Sequence, residues 1–337
     1  PVMVLAVGVF VAGLVQLAFQ IPFLRALDLL PRPRWGWHHP GVNKILTLML
    51  PAILGSSVAQ INIIVDRIIA SFLVTGSISW LYYSDRLLEF PLGIFAIALS
   101  TVILPGLSRR HAEKTPQAFS ETLDWALRLV LLIALPAAVA LFVLAGPLVA
   151  TLFNYGEFAA AGNAEMTRLS VMAYALGLVA FTLVKVLAPG YFARQDTKTP
   201  VKISIVSLLA NIVLNVVIVV PMLRAGVVGA HAGLALATAL AAMLNAGLLY
   251  RGLRRDGVYQ PVAGWGRLLV QAFAANACMA ALLVWLAGGL DGWLAVDALH
   301  RAGWLALCVA GGLAVYVLAL LAAGLRPGDL RPLHTDS

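Results

Sequence analysis

The chain has 337 residues, of which 61% are hydrophobic and only 11% charged, and its mean hydropathy of +0.94 excludes an ordinary water-soluble globule. The net charge of +8 would suit a nucleic-acid binder if the 23 basic residues formed a patch on one domain, but they punctuate long apolar runs instead. Cys278 and Cys308 lie in separate apolar runs, so no disulfide framework is expected.

Nine apolar runs of about 20 residues match the roughly 30 Å of bilayer hydrocarbon at 1.5 Å rise per residue, which predicts an all-α, polytopic membrane bundle. They cover 2–24, 48–73, 78–107, 126–148, 169–191, 201–223, 226–250, 268–290 and 303–325. No segment alternates apolar and polar residues with period two, so a β-barrel reading fails. After the first run, RPRWGWHHPG places Trp35 and Trp37 among basic residues and histidines, a composition suited to the headgroup layer. The second and third runs are joined by the short TGSIS and must be antiparallel neighbours. The third is too long for one straight span, and Pro91, which cannot bond to the Leu87 carbonyl, is expected to kink it. Thr115 and Pro116 read as cap and first turn of a surface helix leading into the fourth run. In the seventh run Gly229, Gly233, Ala237, Ala241 and Asn245 repeat every four residues, a stripe that lets another helix approach closely.

Loop cations fall almost wholly after odd-numbered runs, from Arg25 to Lys44, around Arg109 to Arg128, at Arg194 to Lys202, at Arg251 to Arg267, and in the tail. The opposite loops hold Arg168, Arg224 and Arg301 alone, so the basic side and the C-terminus are expected in the cytoplasm. The chain opens at Pro1 directly on an apolar run with no signal-peptide pattern, and further spans are expected to precede it. GxxxxGK[ST], HExxH, CxxC and GxSxG are all absent and the six histidines are scattered, which argues against an ATP-driven pump, a zinc enzyme or another lipid-processing enzyme.

Charges inside the runs stand out, because one ionised side chain at mid-bilayer costs about 2.5–3.5 kcal/mol even on the lenient insertion scale. In SWLYYSDRLLEFPLG, Tyr82, Asp85, Arg86 and Glu89 fall on one helical face. Asp66 and Arg67 in the preceding run point about 100° apart, yet lie at the depth of Asp85 and Arg86 and could cross-pair with them. Glu89 has no evident second partner. Replacing the whole group by apolar residues would be the cheaper way to fix helix register, so a water-filled cavity handling a charged solute is expected. Arg67 and Lys185 are further candidates for its lining, although Lys185 can also snorkel to the interface. Asn211 and Asn215 share a face at the depth of Asp66; they can bridge helices, the commoner role of membrane amides, or, with Asp66, offer oxygen ligands to a monovalent cation coupled to transport.

The stretches SWLYYSDRLLEFPLGIFAIALSTVILPGLSRR, LFNYGEF and VKVLAPGYFARQDTKTPVKI, in this order, closely resemble the MurJ/MviN family of bacterial lipid II flippases. The resemblance implies the multidrug, oligosaccharidyl-lipid and polysaccharide exporter superfamily, with fourteen spans in two six-helix lobes and a final pair. Residues 1–24 would then be the last helix of an N-terminal lobe whose earlier helices this chain lacks. Residues 25–47 would be a cytoplasmic linker, 48–250 the C-terminal lobe, and 251–267 a cytoplasmic loop. Residues 268–337 would hold the extra pair, a groove for the polyprenyl tail, and a cytoplasmic tail. It further implies an inner-membrane flippase, not an enzyme, that carries lipid II, the lipid-linked peptidoglycan precursor, to the outer leaflet by alternating access. Its partners would be lipid II, membrane lipids and the missing lobe, with no cofactor other than a coupling cation or the membrane potential. Asp85, Arg86 and Glu89 match the acidic-Arg-x-x-Glu face that points into the family's central cavity, where Arg86 would meet the substrate pyrophosphate. A polysaccharide-lipid or multidrug exporter of the same superfamily would share the fold.

Overall fold

The computed structural model describes residues 2–29, 39–159 and 162–326, and divides the chain into two units, 1–50 and 51–337. The tryptophans expected in the headgroup layer and the tail beyond residue 326 lie outside the described residues. In the first unit, α1 (Val2–Ala26) is apolar on every face, as a membrane-spanning helix can be. The next helix, α2 (Pro40–Ser71), opens on proline, whose missing amide costs nothing at a first turn.

A tight turn separates α2 from α3 (Ser77–Pro91), and Gly76 makes it possible. Its φ of 103° is in the left-handed region, and a Cβ there would meet the Trp80 ring at 2.6 Å. Pro91 is the last residue of α3 and, having no amide hydrogen, leaves the Leu87 carbonyl without its helical bond. The expected kink takes the form of a wider π-helical turn, Leu92–Ile97, before α4 (Ala98–Ala112) resumes. Pro116 starts α5 (Pro116–Val143), which runs unbroken into the fourth apolar run and then stops at Leu144, where one span to residue 148 was expected. A short α6 (Ala145–Leu152) and a 3₁₀ turn (Gly156–Ala159) follow.

The long helices α7 (Asn163–Phe192), α8 (Lys198–Arg224), α9 (Ala230–Arg255), α10 (Trp265–Ala287) and α12 (Ala298–Ala322), with a single turn α11 (Leu290–Leu294), complete the chain. Among the described residues there is no strand, and seven helices are long and apolar enough to cross a membrane: α1, α5, α7, α8, α9, α10 and α12. The other two expected runs correspond to α2, which carries Asp66 and Arg67, and to the α3–α4 pair, split by the π turn into 15-residue helices. Several helices begin well before their apolar run, because a helix needs only backbone hydrogen bonds to extend through a polar first turn.

In the second unit α7 is central, packed by α3, α5 and α9. A Cβ on Gly177 would stand 2.8 Å from the Ala239 Cα, so α7 and α9 touch backbone to backbone. The four-residue stripe of α9 also serves packing: Gly233 faces Ile218 and Met222 of α8 at about 3 Å, and Ala237 and Ala241 are buried. The last two long helices pair through Gly312 and Leu283 and reach α5 where the Tyr316 hydroxyl donates to the Leu132 carbonyl at 2.8 Å. Cys308 is fully buried there and Cys278 is exposed on α10, both unbridged.

The connections of this unit sort to two ends. At one end Trp80 Nε1 donates to Asn163 Oδ1 at 2.8 Å, and its ring packs on His231, joining the α2–α3, α6–α7 and α8–α9 connections. Arg301 belongs to the same end, where it donates to the Ala150 carbonyl at 2.9 Å. At the other end Asp124, almost completely buried, accepts from Tyr259, Trp265 and the Val262 amide, while Arg128 caps it and the Val262 and Ala263 carbonyls. Burial, and then the bond it donates to Asp124, hold the Tyr259 phenol well above its ordinary pKa, so it stays a donor. This fixes the α9–α10 loop onto α5.

Candidate functional site

Two polar constellations interrupt the apolar interior of the second unit. The first is the stripe on α3. Helical spacing sets the Arg86 guanidinium 5.0 Å from the centre of the Tyr82 ring, one turn back, and in an ion pair with Glu89, one turn on. The Arg86 and Glu89 side chains are nonetheless 51% and 52% exposed, so the cation is oriented without being enclosed. Asp85 is half-buried beside them. The stripe ends at Pro91, one residue before the π turn, a deformation that frequently accompanies function.

The second constellation is built around Asp66, which α2 presents to α8 and α9. Asp66 Oδ1 accepts from Asn215 Nδ2 at 2.7 Å; Oδ2 accepts from the Thr238 hydroxyl at 3.0 Å and from Asn62 Nδ2 at 3.4 Å. Asn215 also donates to Asn211 Oδ1 at 2.9 Å. With the Asn211 amide turned over, its nitrogen reaches Asn62 Oδ1 at 3.0 Å and Asp66 Oδ1 at 3.3 Å, and its oxygen accepts from Thr238. Asp66, Asn211 and Asn215 are all buried, and Asn215 Oδ1 has no protein partner. Among the described residues no three His, Cys, Asp or Glu side chains gather, so this is a one-carboxylate site.

Tyr174 of α7, buried, lies within electrostatic reach of Asp66, Arg67 and Asp85. The cross-pairing that equal depth allowed does not form: Asp66 is bound by amides and a hydroxyl, and Arg86 turns to its own helix. Glu89 therefore has its partner in Arg86. Arg67 is exposed on α2, close enough to act on Asp85. Lys185 stands apart, exposed on α7 eleven residues beyond Tyr174, about 16 Å along the axis. Sequence reasoning missed Asn62, Thr238 and Tyr174. Asn62 had a signal, lying one turn before Asp66, whereas a lone threonine and a lone tyrosine in apolar helices carry none.

Comparison with known proteins identifies the family of the chain. The family model described as "Lipid II flippase MurJ" matches residues 1–301. A "Probable lipid II flippase MurJ" of Vibrio cholerae serotype O1 is 48% identical over 98% of this chain and 62% of its own length. A "Lipid II flippase MurJ" of Burkholderia cenocepacia is 42% identical over 97% of this chain and 63% of its own. The chain thus spans a little under two thirds of these relatives. Among solved structures, an inward-closed lipid II flippase MurJ shares the fold at a TM-score of 0.68 and 24% identity, covering 88% of this chain and 58% of that one. An outward-facing multidrug-resistance MATE transporter of the MOP superfamily shares it at 0.53 and 17% identity, covering 83% and 64%. With the polytopic helical fold and the residue match agreeing, the chain belongs to the lipid II flippase MurJ family.

Proposed function

We propose that the protein carrying this chain moves lipid II from the cytoplasmic to the outer leaflet of a bacterial inner membrane, for cell-wall synthesis, by alternating access and without catalysing a covalent reaction. The observation that carries this reading is Arg86: a half-exposed guanidinium in a span, braced by Tyr82 and Glu89, offers a planar fork to phosphate oxygens. Asp85 and Glu89 position it and, by competing for the same donors, keep the pyrophosphate from being held too tightly. Arg67 adds a second cation near Asp85. In cells depleted of their own flippase, Arg86→Ala should abolish the appearance of lipid II at the outer surface while abundance stays near normal. Arg86→Lys should keep little activity, since a point charge replaces the fork. Normal flipping by Arg86→Ala would reduce the stripe to a helix-packing feature.

The Asp66 constellation supports coupling to a monovalent cation. A carboxylate, a hydroxyl and two amides able to turn an oxygen inward are hard donors, and the unpartnered Asn215 Oδ1 is already available. Asp66, Asn211, Asn215 and Thr238 would hold the ion, which would supply a positive charge balancing the buried carboxylate. The same cluster, together with the MATE-like fold, favours a cation-coupled exporter of another solute as the second reading. Which lipid-linked substrate crosses the membrane separates the two.

A further inference from the structure

The end of the second unit fixed by Asp124 also holds a cleft of about 240 Å³, lined by none of the residues of the α3 stripe or the Asp66 cluster. Three separate connections build it: the α4–α5 turn contributes Arg110, His111 and Lys114, the α7–α8 loop Arg194, and the α9–α10 loop Asp256, with Phe119 of α5 as a buried apolar floor. Three full cations therefore face one carboxylate. Arg110 is shared with Glu113, whose nearer partner is Arg109 at 2.8 Å; the Arg110 separation is 3.7 Å. Arg194 is only loosely paired. Its Nη1 forms a long ion pair with Asp256 Oδ2 at 4.0 Å, beyond hydrogen-bond distance, while the side chain as a whole is 30% exposed. A guanidinium nitrogen this loosely paired can take a further anionic acceptor.

The walls are preformed. Lys114 and Gln195, two of the three non-glycine residues in the left-handed region among those described, sit at φ 54° and 61° beside the cleft. Each closes a helix end, with the Thr115 amide bonded to the Arg110 carbonyl and the Asp196 amide to the Tyr191 carbonyl, both at 3.1 Å, so the backbone itself fixes these turns. Paired bonds between Ser120 and the Gln260 backbone clamp one wall, and Asp196 Oδ1 holds the Thr199 amide at 3.0 Å on the other. A ligand therefore meets a site that needs little ordering.

We propose that this cleft binds the phosphate of an anionic membrane lipid headgroup. A cationic cleft with an apolar floor, at the ends of helices that span the bilayer, fits a headgroup whose phosphate meets Lys114, Arg110 and Arg194 while its glyceride side rests on Phe119. The test is titration of the purified protein with phosphatidylglycerol, read by native mass spectrometry, with phosphatidylcholine as the zwitterionic control and no lipid II present, so that the result is independent of flipping. Lys114→Gln and Arg194→Gln should each weaken phosphatidylglycerol binding about fivefold, the equivalent of about 1 kcal/mol per surface cation. Asp256→Asn, an exposed and structurally mild change, should strengthen it by a similar factor. Phosphatidylcholine binding should not move. Unchanged phosphatidylglycerol affinity in the Lys114→Gln/Arg194→Gln double variant, or no gain in Asp256→Asn, would overturn the site. If millimolar inorganic phosphate displaces the lipid and stabilises lipid-free protein equally well, the ligand is a soluble phosphate and the lipid assignment falls.

Discussion

At the residue scale, the polar groups of the second unit divide by how completely the protein satisfies them. Asp66 is satisfied by neighbours on three helices, each intramembrane bond worth about 0.6 kcal/mol on average, which fixes geometry more than it adds stability. Arg86 is tethered and left open. Replacing Asp66 by Asn keeps the shape and removes the charge. If the cluster holds the coupling ion, lipid II exposure by Asp66→Asn should no longer respond to the monovalent cation that drives the parent. An unaltered cation response would remove Asp66 from the coupling site. The depth of Asp66, Asn211 and Asn215 was legible because rise per residue converts spacing into height. Thr238 was not, since a threonine in an apolar helix ordinarily bonds its own turn.

At the element scale, packing is governed by places where one helix lacks a side chain. Gly177 reads in sequence as a lone glycine amid apolar residues, and its meaning appears only with Ala239 opposite. Gly177→Leu should force α7 and α9 apart, an overpacking cost of about 1–3 kcal/mol, and lower the thermal unfolding midpoint in detergent. Gly247→Leu on α9, where a Cβ meets nothing within 4 Å, is the matched control and should change little. Equal midpoints for the two would show that the close approach contributes no stability. Helix existence was legible from apolar runs, and Pro91 announced its break. Helix starts were legible only where a cap announced them, as Thr115 and Pro116 did for α5; α2 and α7 begin at Pro40 and Asn163, ahead of their apolar runs, because hydropathy marks the lipid-facing part of a helix and is silent about its polar first turns.

At the scale of the whole molecule, alternation of the connections between two ends follows from helices that each traverse the same layer. The loop charges already drew this distinction: Arg110, Lys114, Arg194 and Asp256 meet at one end, Arg168 and Arg301 lie at the other. We propose that the first end is cytoplasmic. In a variant with Cys278 and Cys308 replaced by Ala, Glu157→Cys should react with an impermeant thiol reagent in intact cells and Arg255→Cys only after permeabilisation. The reverse pattern would invert the orientation and place Lys114 and Arg194 outside.

The π turn between Leu92 and Ile97 bears on what lengths of chain this fold tolerates. A π-helical ring closes around one residue more than an α-helical ring does, so the turn stores a residue that plain α-helix would have no room for. A chain shorter by one residue there could still form a continuous helix from Ser77 to Ala112. Its first half would then be turned by about 100° relative to its second. Asp85, with Arg86 and Glu89 beside it, would turn away from Arg67 and Tyr174 even though every one of them was retained. Insertions and deletions in this six-residue window therefore act on the charge stripe as strongly as substitutions within it.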